Sequence, residues 1–193
     1  MEDNFKQFNI LTKGYPEFLN CKFGEGKTAL YMCIEQKKFL WVQHILEQGA
    51  DCEAVSNDNE LPMFAAVMSN HLETVKLLVS YGADPFRCKS ANRGSESIEL
   101  AVMLDNIEIV SFLIEKEVKV KNYIDTINLI QSREMVELLG NNQQIFSVEG
   151  QEHWKEQKLA FLLKPSQKNV SYSSKKVSGL LNKLLHFVED NKG

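Results

Sequence analysis

The chain has 193 residues, 44% of them apolar and 25% charged, which is enough for one domain and an appendage and ordinary for a globular protein. Its formal charge of −4 is uneven: 8 Lys and 5 acidic residues fall from Gly140 onward, so the body before it is acidic, which disfavours nucleic acid as its ligand. No run of about 18 apolar residues occurs, so no membrane span is expected, and the polar start MEDNFKQFNI does not read as a secretory signal.

Residues 2–13 carry Phe5, Phe8, Ile10 and Leu11 and end at Gly14-Tyr15-Pro16. They read as a short helix within an N-terminal cap, residues 1–19. Glu2, Asp3, Lys6 and Gln7 would supply its polar outer face.

A unit follows over residues 23–55. Gly24-Glu25-Gly26-Lys27-Thr28 opens it, and Phe39, Val42, Ile45 and Leu46 form a helical stripe. The GEGKT string is not a phosphate loop. Such a loop needs a glycine five residues before the Gly-Lys pair, where Cys21 stands, and a buried strand ahead of it.

The next unit, residues 56–88, has the clearest pattern. Leu61, Met63, Ala66 and Val67 share one helical face, and Leu72, Val75, Leu78 and Val79 share another. Ser69-Asn70 breaks the two. Pro62 suits a first helical turn, and Gly82 a turn that needs positive φ. Gly82-Ala83-Asp84 recurs 33 residues earlier as Gly49-Ala50-Asp51, Val75 as Val42 and Leu78 as Ile45. Two such short helices cannot bury their apolar faces alone, so like units are expected to stack.

This spacing and wording resemble the ankyrin repeat, with its T-P-L-H-x-A-A, G-H and V-x-x-L-L-x-x-G-A-D signature. The resemblance is strong between Phe23 and Cys88 and weaker on either side. It implies an all-α, ankyrin-type solenoid of helix-turn-helix units with short hairpin turns. Tyr31, Phe64 and Glu99 stand where the family has His, which suggests that apolar packing replaces part of the inter-unit hydrogen bonding. His71 falls on the G-H position and is expected to be structural, and Cys33 takes the place of a small core Ala.

A third unit, residues 91–123, is shifted by two, since Val110 lies 35 after Val75 and Leu113 lies 35 after Leu78. The extra residues fall in 87–96, so a longer, polar hairpin is expected. Glu117-Val118-Lys119 replaces Gly-Ala-Asp, which questions the turn but not the helices. Residues 124–139 form a truncated unit in which two helices join directly. Residues 1–139 are thus read as the repeat domain and 140–193 as a C-terminal helical extension. Within the extension, Gln151–Leu163 reads as a helix, 165–174 as a polar loop, and Val177, Leu180, Leu181, Leu184, Leu185 and Val188 as an amphipathic helix. These helices are expected to cap the stack; the alternative is docking to a partner or a membrane surface.

Nothing in the sequence groups residues for catalysis. His44, His71, His153 and His186 are scattered, no G-x-S-x-G occurs, and the four cysteines lack C-x-x-C spacing and read as reduced thiols. No enzyme activity, cofactor or metal site is expected.

In the family, the hairpin tips and the exposed side of each first helix form a concave binding surface. Carried over, these positions are Gly24, Glu25, Lys27, Glu35 and Gln36, then Asn57, Asp58, Glu60, Met68 and Ser69, then Asn92, Arg93, Ser95, Met103 and Leu104. Met68, Met103 and Leu104 are apolar where a solvated face would be polar. Ringed by acids, they would suit an apolar or basic helix or extended segment of a protein partner. The alternatives are coverage by the chain's own tail, or side chains only half exposed.

The expected function is therefore non-catalytic protein recognition by a cytoplasmic monomer. The alternative is a host-directed effector or regulator, in the host cytosol, whose C-terminal helices act on a target that the repeats recruit.

Overall fold

Short amphipathic helices stack in two layers in the computed structural model, which describes residues 2–24, 26–88, 97–120, 123–151, 153, 154 and 158. The helices are α1 (Glu2–Gly14), α2 (Ala29–Glu35), α3 (Phe39–Glu47), α4 (Pro62–Met68), α5 (Leu72–Ser80), α6 (Ser97–Met103), α7 (Ile107–Glu115), α8 (Tyr123–Asn128) and α9 (Arg133–Asn141). In the first layer α2 packs on α4, α4 on α6 and α6 on α8. In the second, α3 packs on α5, α5 on α7 and α7 on α9. This is the all-α solenoid that the repeat predicts. Among the described residues the one departure is a two-stranded ribbon at the first hairpin, β1 (Lys22–Phe23) against β2 (Lys27–Thr28).

Two-turn helices are unstable alone, so packing and caps must hold them. Thr28 Oγ1 accepts from Tyr31 N (3.3 Å), and Ser132 Oγ accepts from Met135 N (3.1 Å). His71 caps α5 with its ring: Nδ1 accepts from Thr74 N at 3.2 Å, and the ring stacks on Phe39 with centroids 3.4 Å apart. Its role is structural, as its repeat position implies. Between the layers the core is apolar. Leu30, Ile34, Leu61, Val67, Ile98 and Val102 are all fully buried.

The turns repeat as faithfully as the helices. Lys37, Asn70 and Asp105 each adopt positive φ (57°, 53° and 57°) between a first and a second helix. Gly49, Gly82 and Glu117 do so after the second helix (92°, 96° and 60°). Glu117 therefore keeps the turn although glycine is lost. Val118 N bonds Leu113 O at 3.1 Å, as Ala83 N bonds Leu78 O at 3.0 Å.

Beyond α9 the packed unit continues through Lys158. A 3-10 turn, Gln143–Ile145, brings Ile145 O to Val120 N at 3.0 Å. Trp154 is 1% exposed and stacks on Phe146 with centroids 5.5 Å apart. Gly140 lies beside this packing: a Cβ there would sit 3.6 Å from Trp154 Cζ2, an ordinary contact. Residues 148–151, 153, 154 and 158 are helical. The third hairpin, 89–96, and the readings for 159–193 lie outside the described residues. Among the described residues no helix is long and apolar enough to cross a membrane.

Candidate protein-binding surface

The first two hairpin tips are joined directly. Asn57 N donates to Gly26 O at 3.1 Å, joining the first tip to the second. Gly26 has φ +75°, and a Cβ there would lie 2.0 Å from Asn57 Cγ, so glycine is required twice over. Asn57 Oδ1 also accepts from Lys22 Nζ at 3.4 Å.

Behind the tips, between α2 and α4, lies a groove of ≈ 420 Å³. Six of the residues singled out by the sequence line it: Lys27, Glu35, Asp58, Glu60, Met68 and Ser69. Four others complete it: Tyr31, Lys37, Phe64 and Ala65. Met68 is 44% exposed and supplies the apolar surface with Phe64, one helical turn before it. Lys27 Nζ reaches both Glu35 oxygens, at 2.8 and 3.1 Å, and lies 5.5 Å from the Tyr31 ring centre. The Asp58 and Glu60 carboxylates give one edge of the groove a negative character.

Tyr31 donates its hydroxyl to Glu60 across the joint between units. Burial first, then this bond and the nearby Glu60, Glu35 and Asp58 charges, raise its phenol pKa above the ordinary tyrosine range. The tyrosine at the family's His position thus keeps an inter-unit hydrogen bond, so apolar packing replaces only part of the bonding there. A second tie is Glu53, which accepts from Asp84 N (3.0 Å) and from Arg87 Nη1 (2.7 Å).

The other expected contact residues that are described do not line this groove. Gln36 is exposed on the outer side of α2, and Asn57 is at the tip. Met103 and Leu104 are half-buried at the end of α6, where Gln131 Nε2 donates to Met103 O at 3.0 Å. Glu25, Arg93 and Ser95 lie outside the described residues. Tyr31 and Phe64 escaped the sequence-based selection because they stand at the His position, read as packing. Their spacing was the available signal, since Tyr31 is one turn from Glu35 and Phe64 one turn from Met68.

Comparison with known proteins agrees with this architecture. The family profile described as Ankyrin repeats (3 copies) matches residues 2–88 and 31–125. The tyrosine-protein kinase HTK16 of Hydra vulgaris is 30% identical over 98 residues, covering 51% of this chain and 13% of the kinase. An ankyrin repeat protein of Fowlpox virus (strain NVSL) is 28% identical over 97 residues, covering 49% of this chain and 28% of the viral protein. The chain thus matches only a small part of these curated relatives. The crystal structure of the ankyrin repeat domain of Bcl-3, a member of the IκB protein family, superposes with a TM-score of 0.52 at 28% identity, covering 60% of this chain and 52% of that one. With a profile match across more than half its length and a stack of paired helices to carry it, this chain belongs to the ankyrin repeat family.

Proposed function

We propose that the chain binds a protein partner without catalysis, in the groove between α2 and α4. Ankyrin repeats are protein–protein interaction modules, and the fold supplies a rigid frame with exposed tips. The observation that carries the reading is the convergence of Met68 and Phe64 with Asp58 and Glu60 around one groove of ≈ 420 Å³. An apolar floor beside a negative edge fits a helix or extended segment that presents an apolar side chain flanked by Lys or Arg. Rigidity matters because little ordering cost then opposes association. The chain is read as a monomer acting in the cytoplasm, where reduced cysteines are the rule. Met103 and Leu104 extend the same surface by one unit and are read as secondary contacts.

The test is capture from cell lysate by the full chain and by the double variant Asp58→Lys/Met68→Lys. Both side chains are exposed, so helical circular dichroism should be unchanged. Loss of the captured protein by the variant supports the reading. Equal capture overturns the placement of the site.

A further inference from the structure

The first two units correspond position by position at an offset of 33. In the first, Lys27, Tyr31 and Glu35 make a closed set. Lys27 Nζ donates to both Glu35 oxygens, at 2.8 and 3.1 Å, and lies 5.5 Å from the centre of the Tyr31 ring. The Lys27 side chain is 15% exposed, so the cation is largely withdrawn from water. Ring, cation and carboxylate satisfy one another within the unit.

One repeat later the same positions hold Phe64 for the ring, Glu60 for the lysine and Met68 for the glutamate. The ring remains, half-buried on the wall of the groove. Its cation has been replaced by an acid. Glu60 accepts the Tyr31 hydroxyl through Oε2. Among the described residues nothing donates to Glu60 Oε1 or to the Asp58 carboxylate. Both carboxylates act on the Tyr31 phenol, as Glu35 does, so the three converge on one region. Glu35 has its lysine. Lys37, the other cation that lines the groove, follows α2, whereas Asp58 and Glu60 precede α4. In stacked parallel units these are opposite ends. The end of the groove beside the tips therefore keeps an aromatic face and two carboxylates but not the cation that completes the set in the first unit.

We propose that an arginine side chain of the partner protein supplies this cation, stacking on Phe64 and pairing with Asp58 and Glu60. This anchoring rests on the protein-binding reading above and narrows it from any basic segment to one residue type. Charge complementarity selects a cation, and the arrangement selects arginine over lysine. A planar guanidinium lies flat on an aromatic ring, and its forked donors reach two carboxylates at once. An ammonium is a compact, strongly hydrated point charge that gains less from the ring. An apolar residue beside that arginine then falls on Met68, one turn further along α4 and 44% exposed.

The test is a nuclear magnetic resonance titration of the isotope-labelled full chain with three blocked tripeptides. One is acetyl-Leu-Arg-Leu-amide, the second carries lysine in place of arginine, and the third carries citrulline, a neutral urea of the same shape as the guanidinium. The arginine peptide should shift the signals of Glu60, Phe64 and Met68. It should bind about threefold more tightly than the lysine peptide and about tenfold more tightly than the citrulline peptide. Asp58→Asn, at an exposed position, should narrow the gap between arginine and citrulline several-fold. Glu60→Lys, which gives the second unit the cation that Lys27 gives the first, should abolish it. No shifts with arginine peptide up to on the order of 10 mM, equal binding of all three peptides, or an unchanged gap in Asp58→Asn would each overturn the proposal. Lysate capture separates this failure from that of the broader reading. Capture lost in Asp58→Lys/Met68→Lys while the arginine and citrulline peptides bind alike overturns the arginine anchor alone. Equal capture by that variant overturns the broader reading and the anchor with it.

Discussion

At the scale of single residues, backbone conformation and close approach decide most. Gly26 combines φ +75° with a neighbouring side chain where a Cβ would go. Gly26→Ala is expected to cost about 1–2 kcal/mol, from the left-handed backbone alone. Glu117 is the reverse case, a non-glycine residue at φ 60°. Glu117→Gly should gain up to about 1 kcal/mol, or a few degrees in thermal midpoint for a chain this long. Calorimetry checks both. Tyr31 predicts a pH effect. Its raised pKa means that the folded state holds the phenol proton more tightly than the unfolded chain, whose tyrosine titrates near about 10. The contribution is constant below that pH and is lost as pH rises above it. Denaturation midpoints of the native chain should therefore fall relative to Tyr31→Phe above about pH 10, and parallel curves would refute this. The glycine turns were legible because a local φ requirement leaves a local mark. The Tyr31–Glu60 bond was not, because 29 residues separate partners that only stacking brings together.

At the scale of the element, each seven- or nine-residue helix is too short to persist alone, so caps and stacking neighbours carry it. The period of 33 fixed which faces are buried before any coordinates, and the shift to 35 placed the third pair correctly. What periodicity could not reveal is how deeply each position is buried. Cys33 fits the pattern of a buried small residue, yet it is only half-buried. Similarly, Met103 and Leu104 look like Met68 in the pattern but are half-buried beside Gln131. His71 gives the prediction at this scale. His71→Ala removes the cap of α5 and the stacking on Phe39, and should cost about 1 kcal/mol or more. His71→Asn should restore much of the loss, because asparagine is among the best N-cap residues. Thermal melts of the two variants decide it; equal midpoints would deny the cap any weight.

At the scale of the whole molecule, the last unit depends on the segment after it. Ile145, Phe146 and Trp154 are 2%, 4% and 1% exposed, and all three lie beyond Gly140. Trp154 Nε1 has no hydrogen-bond partner among the described residues, so apolar packing holds the indole in place. A chain ending at Gly140 should lose about 3 kcal/mol or more, the usual cost of removing one buried aromatic residue. A chain ending at Lys158 keeps Ile145, Phe146 and Trp154 and should unfold at a higher midpoint than the chain ending at Gly140; equal midpoints would contradict the packing described. The tail's role in the fold was only partly legible, because no repeat runs through it to guide a reading. The function rests on the direction in which the stack presents its surface. A photo-crosslinking residue placed at Met68, in the concave groove, or at Leu40, 67% exposed on the second layer, tests that directly in cell lysate. The account predicts a discrete protein adduct at position 68 and none at 40; an adduct at 40 alone would contradict it.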